Sequence, residues 1–594
     1  MLKGICAASA SHHHNVQEAL DFSLPDNIKI RKTIIPLLIQ YAPMKDFYTQ
    51  NILRRIARHI NNARIATMAL RVAKAAPTPR ATRPIAFFKA SSGIDDLSWN
   101  SAFHLLTSWG LRLQGIPVAY FACDHGMSRC VLGTDRDNPS KQPPCRSCVY
   151  QSKTLYTGVP VHPLSGYPAI QPTRQPDNQT TVTHFTFHRD PALENALKNL
   201  PLSNLSTFNW EGLPLGALVL PGLRWILRRH NLVDDDATRF FLREYMLSAF
   251  SLAQRFEHFL DLTAPQLVVV FNGQFYPEAT AKWVAKKRGL RVISHEVGLQ
   301  PITGFFTEGE STAYPITIPE SFDLTEAQNA RLDAYLEKRF QGNFSMAGVK
   351  FWPSIKGLDA EFIARAEKFK QIIPVFTNVI FDTSQPHANT VFTDMFAWLD
   401  LVLETARAHP ETLFIIRAHP DETRIRKASL ETVAGWVASR RAADLPNVIF
   451  VPPHEHLSSY ELIQRSKFVM IYNSTIGLEA TIMGAAVLSA GKARFTQYPS
   501  VFFPQSVAEY CATLENFLKA EKIEPPAEFR RNGRRFLYYQ LFRTSLPFGD
   551  FLETGIRTTH AKLKLFDPHN LLKSPAIQTI TRGLLENGDF LLEE

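Results

Sequence analysis

Four short apolar segments, each ending in polar residues, lie between Thr412 and Tyr498 and constrain the fold of this chain more than any other feature. The segments are Leu413–Ile416, Asn447–Val451, Lys467–Ile471 and Ala485–Ala490. Their lengths suit buried strands, and stretches of helical length separate them. This spacing predicts βαβ units around a parallel sheet, and such sheets bind ligands just beyond the carboxyl ends of their strands.

The turn after the third of these strands carries the most chemistry. Ser474 and Thr475 follow the strand and begin a helix, so backbone N–H groups and the positive end of the helix dipole are available to a phosphate. Glu479, further along that helix, can accept two hydroxyl hydrogen bonds, as from a ribose. His419, after its own strand, adds a donor that can be cationic beside a phosphate.

Each of these residues alone is more typical of a helix cap, a solvated glutamate or a surface histidine than of a ligand site. Three turns that converge at one edge of a single sheet favour a ligand instead. We therefore interpret this edge as the site of a nucleotide-diphosphate or nucleotide-monophosphate sugar.

Three motifs stand in order here: Arg-x-His-Pro from Arg417, Tyr-Asn-Ser-Thr-x-Gly-Leu-Glu-Ala from Tyr472, and a small-residue strand that ends at Gly491. Together with the nearby Tyr498 they resemble the capsule polysaccharide biosynthesis family, whose members are GT-B-type glycosyltransferases, including transferases that use CMP-Kdo. The resemblance is best in the C-terminal half. It implies a donor site at His419, Ser474, Thr475 and Glu479, the positions that match the family's donor-binding pattern. We add Arg417 and Gly477 from the same motifs to the predicted donor-site residues, with Asn378 from the loop after the domain's first strand.

A second set of strand–helix–strand units precedes this region. Its last predicted strand ends at His295-Glu296-Val297-Gly298, where the capsule-type transferases are similar in having a Glu-x-Gly segment. We predict Glu296 as the catalytic base or nucleophile, paired with His295, because both groups can be tuned by burial. Asp95 and Asp96, in the loop after the domain's first strand, are further catalytic candidates. The alternative is that these are ordinary polar loop residues and an N-cap aspartate.

Four of the six cysteines cluster, at Cys123, Cys130, Cys145 and Cys148. The last pair has the knuckle spacing of a zinc or iron–sulfur site, and in a reducing compartment such a group indicates a metal rather than disulfides. The irregular spacing of the first two leaves unliganded thiols open. We predict a structural zinc or iron–sulfur cluster here. We expect no cofactor for catalysis, because no Asp-x-Asp motif is evident near the site.

At 594 residues the chain is long for one domain. We predict an α/β fold of two Rossmann-like domains that face a cleft, as in GT-B proteins. The predicted parts are a helical segment at 1–80, an acceptor-side domain at 81–315 with a cysteine-rich insertion at 123–200, a connector at 316–365, a donor domain at 366–525 and a helical tail at 526–594. In a GT-B arrangement such a tail often crosses back to the first domain.

The net charge of +10 suits a polyanionic partner such as a nucleotide, an anionic lipid or an acidic glycan. No nucleic-acid partner is predicted, because no helix-turn-helix, zinc-finger or aromatic RNA-binding signature is present. Without a membrane-spanning segment or a signal peptide, we predict a cytoplasmic protein. A basic amphipathic helix within 53–73 allows a peripheral contact at the inner face of the membrane, although packing on its own domain is the simpler interpretation.

These features predict a glycosyltransferase that moves a sugar from a nucleotide-activated donor to a capsular or other surface-polysaccharide acceptor, either a glycan or a glycolipid. A polyol-phosphate transferase or a nucleotide-sugar epimerase is an alternative, since the same fold carries several reactions. A non-catalytic polysaccharide-assembly protein, which recruits partners through its cysteines and basic surface, is another.

Overall fold

The computed structural model describes residues 44–80, 83–90, 96–162, 164, 180–341, 357–424 and 428–594, with only the backbone for 44–50. The predicted Asp95 and most of the predicted N-terminal segment lie outside the described residues. Residues 61–594 form one compact unit that contains every sheet, and residues 1–60 form another. No helix among the described residues has the length and apolar character needed to cross a bilayer.

The described strands form sheets of seven, five and two strands. They are β1 Ile85–Lys89, β2 Val118–Cys123, β3 Thr181–Phe185, β4 Leu267–Phe271, β5 Arg291–Val297, β6 Thr303–Thr307, β7 Gln371–Phe376, β8 Thr412–Arg417, β9 Val448–Val451, β10 Val469–Ile471, β11 Val487–Ser489, β12 Leu546–Pro547, β13 Leu552–Thr554 and β14 Ala561–Leu563.

The two larger sheets share one strand order. In the first, β3-β2-β1-β4-β5 are parallel, and the antiparallel β6 and β12 extend the β5 edge. In the second, β9-β8-β7-β10-β11 are all parallel. Each is the doubly wound Rossmann order, in which the chain changes direction between its first and fourth strands. The chain is therefore α/β with two Rossmann-like domains, as predicted.

Helices cover both faces of these sheets. They are α1 Met44–Ala75, α2 Trp99–Leu113, α3 Cys145–Leu155, α4 Pro191–Leu197, α5 Leu202–Ser206, α6 Leu215–Leu227, α7 Asp236–Thr263, α8 Tyr276–Lys287, α9 Glu326–Phe340, α10 Ala360–Ala366, α11 Gln385–Ala388, α12 Met395–Ala408, α13 Val433–Arg440, α14 Ser459–Arg465, α15 Ile476–Met483, α16 Val507–Lys519, α17 Ala527–Tyr538 and α18 Pro575–Leu585. Short 3₁₀ turns lie at Ser311–Ala313, Pro420–Thr423, Ala442–Asp444, Arg494–Gln497 and Pro568–Lys573, and one π-helical turn at Tyr539–Arg543.

The central strands are buried on both faces, so they are apolar throughout rather than alternating. On β1, Phe87 belongs to the core shared with α2 and α18, while Phe88 belongs to the core shared with α7 and α8. Successive residues of a strand point to opposite faces. Side chains at the buried strand centres are thus committed to packing, and chemistry is left to the strand ends.

The tail does cross back to the first domain. After α17, which packs on the second domain against α15, β12 pairs with β6 at the edge of the first sheet. Helix α18 then packs on α2, and Gly110 of α2 lets it approach closely, because a Cβ there would lie 2.5 Å from Ile577 Cγ2. The tail is not wholly helical, since it also contributes β12, β13 and β14. It therefore ties the two domains together.

Candidate functional site

A cleft of about 610 Å³ opens between the two Rossmann-like domains at the carboxyl ends of their strands. The loops after β7, β8, β10 and β11 form one wall, and Trp225 and the loop after β6 contribute from the first domain. Another cavity, of about 530 Å³, lies beside Gln371 and Lys467 at the amino ends of β7 and β10. Because open parallel sheets bind ligands at the carboxyl ends of their strands, we assign the site to the cleft.

Two asparagines lie at the switch point of the second domain. Asn378 follows β7 and Asn473 follows β10, and Asn378 Nδ2 donates to Asn473 Oδ1 at 2.6 Å. Asn378 Oδ1 also accepts from the Val379 N–H at 2.8 Å, which fixes the orientation of the amide. Both residues line the cleft. The structure thus places the predicted Asn378 at the site and adds Asn473, which belongs to the same motif as Ser474.

The predicted phosphate turn also lines the cleft. Gly477 and Leu478 donate their N–H groups back to the carbonyls of Ser474 and Thr475, at 3.1 Å each. The N–H groups of Thr475 and Ile476 precede this pattern and belong to the unpaired first turn of α15. Gly477 itself serves packing rather than ligand contact, because a Cβ there would lie 2.4 Å from Ile471 Cδ1.

His419 lines the cleft, but it is not cationic at neutral pH. Burial lowers its pKa below the ordinary value. Its Nδ1 accepts the Asp421 N–H at 3.2 Å, so the proton of the neutral ring resides on Nε2. The sequence predicted a donor that carries positive charge, and the structure provides a neutral donor. A bound phosphate would raise this pKa by its negative charge.

The positive charges in the cleft come from Lys492 and Arg494, which the sequence analysis missed. Both follow β11. Lys492 is exposed, and Arg494 lies 4.1 Å above the ring centroid of Tyr314. The sequence could have predicted them, because the fourth apolar segment ends at Gly491 and ligands bind just beyond the carboxyl ends of parallel strands.

Arg417 and Glu479, two predicted donor-site residues, do not line the cleft. Arg417 is buried, and its Nη1 donates to the Leu457 carbonyl at 2.5 Å. Glu479 is also buried, and both of its carboxylate oxygens are engaged: Oε1 with Arg339 Nη2 at 2.6 Å and Oε2 with the Tyr460 hydroxyl at 2.5 Å. In this structure Glu479 joins α9, α14 and α15 instead of facing a ribose.

His295 and Glu296 do not form a pair, because neighbouring strand residues point to opposite faces of the sheet. His295 is fully buried, with Nε2 3.2 Å from His104 Nδ1 and its ring stacked on Phe306. Burial, with a smaller contribution from the positive charge of Lys89, lowers its pKa to about 3, so the ring is neutral. It does not line the cleft.

Glu296 is only partly buried and is held by a network of donors. Oε2 accepts from Asn272 Nδ2 at 2.9 Å, while Oε1 accepts from the Val297 N–H at 2.9 Å and from Asn100 Nδ2 at 3.4 Å. Asn272 adopts the left-handed backbone, with φ 57°, which asparagine tolerates better than most residues. Burial raises the pKa of Glu296, and the negative charge of Asp382 on the cleft wall adds to the shift. Glu296 is not among the side chains that line the cleft, but its electrostatic interaction with Asp382 places it near that wall.

Of the two aspartates predicted with it, only Asp96 is described. Its Oδ1 accepts from Asn61 Nδ2 at 2.9 Å and from the Leu97 N–H at 2.7 Å. These contacts tie the end of the loop to α1. They give Asp96 a structural role in this form of the protein.

One histidine bridges the two walls of the cleft. His387, in α11 of the second domain, has Nε2 3.0 Å from Thr312 Oγ1 and 3.2 Å from Gln274 Nε2 of the first domain. Gln274 also donates to Glu310, which is ion-paired with Lys282. These polar contacts close one side of the cleft, and sequence spacing gave no sign of them.

The four predicted metal ligands lie around one small cavity of the first domain, away from the cleft. None of the five cysteines in the described ranges forms a disulfide. No three His, Cys, Asp or Glu side chains of the described residues are placed to hold a metal ion. The metal stays a prediction at this point.

Residues 353–498 match the model of a family described as "Capsule polysaccharide biosynthesis protein". Protein FixF of Sinorhizobium fredii (strain NBRC 101917 / NGR234) is 26% identical over 250 residues, which are 40% of this chain and 51% of FixF. The chain thus spans about half the length of that curated relative.

Two solved structures have a distant likeness to the chain. KpsC of Thermosulfurimonas dismutans, a beta Kdo 2,4 transferase, aligns with 47% of this chain and 80% of its own, at 10% identity and a TM-score of 0.32. UDP-GlcNAc 2-epimerase from Neisseria meningitidis, bound to UDP-GlcNAc, aligns with 77% of this chain and 99% of its own, at 11% identity and a TM-score of 0.22. Likenesses this distant assign no activity.

Proposed function

Because residues 353–498 match the model of the capsule polysaccharide biosynthesis family, we propose that the chain is a glycosyltransferase. It takes a sugar from a nucleotide-activated donor and passes it to a capsular or other surface-polysaccharide acceptor. One observation supports this most: the carboxyl-end cleft has a helix N-terminus and two cations, Lys492 and Arg494, on one wall. The partly buried carboxylate of Glu296 lies at a strand end of the first domain, beyond the lining of the cleft.

The donor phosphate binds at the start of α15. The N–H groups of Thr475 and Ile476 and the Ser474 hydroxyl supply hydrogen bonds, and Lys492 and Arg494 supply charge. Donors fixed in place before the reaction stabilise the negative charge that develops on the leaving phosphate. His419 contributes a neutral Nε2–H donor.

The sugar then extends toward the first domain, where Glu296 is the base or the nucleophile. The Asn272 amide is locked, since its Oδ1 accepts the Gln274 N–H at 2.9 Å while its Nδ2 holds Glu296. This holds the carboxylate in one orientation, which positioned acid–base or nucleophilic chemistry requires. The contacts of His387 across the cleft keep the walls together and help to exclude water.

A thermal-shift panel of CMP-, UDP-, GDP- and CDP-linked sugars tests the donor site. A donor at 100 times its Kd stabilises the fold by about 2.7 kcal/mol, so at least one class should raise the Tm. Ser474→Ala and His419→Ala should reduce that shift while leaving the unliganded Tm close to wild type.

Ser203→Ala and His569→Ala are matched controls, because both residues are exposed and outside the cleft. A donor shift retained in both cleft variants, or no shift with any donor, would contradict the proposed site. Analysis of the product separates transfer from epimerisation, since an epimerase returns an intact nucleotide sugar.

A further inference from the structure

The four cysteines between β2 and α3 are not used by the proposed reaction, yet the fold gathers them. Cys123 ends β2, Cys130 lies in the loop after it, and Cys145 and Cys148 lie in the first turn of α3. All four line one cavity of about 20 Å³. We propose that Cys123, Cys130, Cys145 and Cys148 bind one structural Zn²⁺ ion through their sulfur atoms.

The first two cysteines lie in matching turns. Each stands three residues before a glycine, and the N–H groups of Gly126 and Gly133 donate to Cys123 Sγ and Cys130 Sγ, at 3.2 Å each. These hydrogen bonds hold each sulfur atom in a fixed position within its turn. Such hydrogen bonds to metal ligands also orient them.

Both turns require glycine. A Cβ on Gly126 would lie 2.2 Å from Phe185 Cε2, and a Cβ on Gly133 would lie 2.9 Å from Cys130 Sγ and 2.7 Å from Pro143 Cβ. These close approaches bring each sulfur-bearing turn against the rest of the site. The chain thus uses the Cys-x-x-Gly sequence twice to form a turn in which the glycine N–H donates to the cysteine sulfur.

The second pair is presented differently. Cys145 and Cys148 are the first and fourth residues of α3, an eleven-residue helix, and residues three apart share a helix face. No side chain caps this helix at Pro144. Both thiols therefore lie at the N-terminal end of this helix, where they border the cavity.

The size of the cavity favours one ion over a cluster. A cavity of about 10–15 Å³ on the same measure holds one water molecule, so about 20 Å³ admits a single ion and not an iron–sulfur cube. The remaining lining is Ala90, His125, Met127, Pro143, Pro144 and Val149. His125 Nδ1 is engaged with Asp124 Oδ1 at 2.7 Å, and the four cysteine thiols are the other metal-binding groups of this lining.

The thiols border the cavity without meeting at one point, consistent with the absence of a ready metal geometry among the described residues. Zn–S bonds of about 2.3 Å would require the side chains to turn inward together. The ion would then join the β2 end, the loop after it and the α3 start beside Ala90, the residue next to the end of β1. It would brace the first domain next to its switch point.

Metal analysis of the full chain, purified under reducing conditions without added metal, tests the proposal. We expect about one zinc per chain and a colourless protein. Cys145→Ser and Cys148→Ser should each lose the zinc, whereas Cys511→Ser, in α16, should retain it. Replacement by Co²⁺ should give the d–d absorption of a tetrahedral thiolate site.

Because the serine variants could fail to fold, a second measurement uses the wild type. A mercurial that titrates thiols should release zinc in step with four modified cysteines. Iron with sulfide in the purified protein, a disulfide within the group, or a metal-free protein whose thiols react equally fast with and without a chelator would each overturn the zinc assignment. None of these outcomes bears on donor binding at the cleft, so the proposed transferase stands or falls separately.

Discussion

The two Rossmann-like domains share a strand order but differ in the residues at the carboxyl ends of their strands. The second domain ends its strands in exposed or cleft-lining polar groups: Asn378, His419, Ser474 and Lys492. The first ends β5 in a carboxylate whose pKa is raised by burial, Glu296, beside a histidine whose pKa is lowered by burial, His295. At the edge of the second sheet these polar side chains line the cleft, whereas at the edge of the first sheet Glu296 is partly buried and His295 is fully buried.

In the function that we propose, the two sheet edges have different roles. Binding a phosphate needs many weak donors and solvent-accessible charge, which loops at an open sheet edge supply. Tuning an acid or base needs burial and a fixed partner, which Asn272 provides for Glu296. Removing the carboxylate of the first domain should therefore affect turnover, whereas removing a cation of the second domain should affect donor binding.

The largest expected effect is on catalysis. Glu296→Gln keeps the shape and the hydrogen-bonding position but removes the base or nucleophile, so turnover should fall about 10²–10⁴-fold. Turnover is measured as nucleotide release from the donor that gives the best thermal shift. That donor's thermal shift should persist, because its phosphate binds on the other domain. Undiminished turnover would show that the first domain does not supply the carboxylate.

The next effect is on stability. Arg339→Met leaves Glu479 buried without its ion-pair partner, which should lower the free energy of unfolding by about 3–5 kcal/mol in urea titrations. Adding Glu479→Gln removes the uncompensated charge and should restore part of the loss. A loss below about 1 kcal/mol, as for exposed pairs, would mean that Glu479 is solvated and open to a ligand.

The contrast between Glu479 and Ser474 shows what the sequence could predict. Both belong to one motif, and the periodicity of apolar segments correctly predicted the sheet and the strand end at which Ser474 lies. The partner of Glu479 is Arg339, 140 residues earlier, so only tertiary packing could reveal that the carboxylate is occupied. Likewise, the strand-end rule could have found Lys492, whereas the bridging contacts of His387 depend on how two domains meet.

The pH dependence of the unfolding free energy tests the lowered pKa of the buried His295. Because the folded pKa of His295 is about 3 against an ordinary 6.5, the unfolded chain takes up this proton first as the pH falls. The stabilisation present above pH 6.5 should therefore be lost toward pH 3, by about 1.4 kcal/mol per pH unit for this imidazole.

His295→Phe isolates that contribution, since a phenyl ring can keep the stacking on Phe306. The difference in unfolding free energy between wild type and variant should change with this slope between about pH 6 and pH 4. Carboxyl groups with raised pKa values, such as Glu296, act in the opposite direction in both proteins and cancel in the difference. Parallel curves would indicate that the pKa of His295 is the same in the folded and unfolded protein.

The smallest effect concerns the exposed cation of the second domain. Lys492→Ala should weaken donor binding about tenfold, because an exposed ammonium contributes a charge-assisted contact that water and salt screen. The weakening should shrink as the salt concentration rises from about 0.05 M toward about 1 M, where the Debye length is near 3 Å. Calorimetric titration of the donor measures both, with Lys519→Ala, an exposed lysine outside the cleft, as the control. If Lys519→Ala weakened donor binding equally, the donor would be attracted by the overall positive charge of the chain and not by Lys492 at the edge of the second sheet.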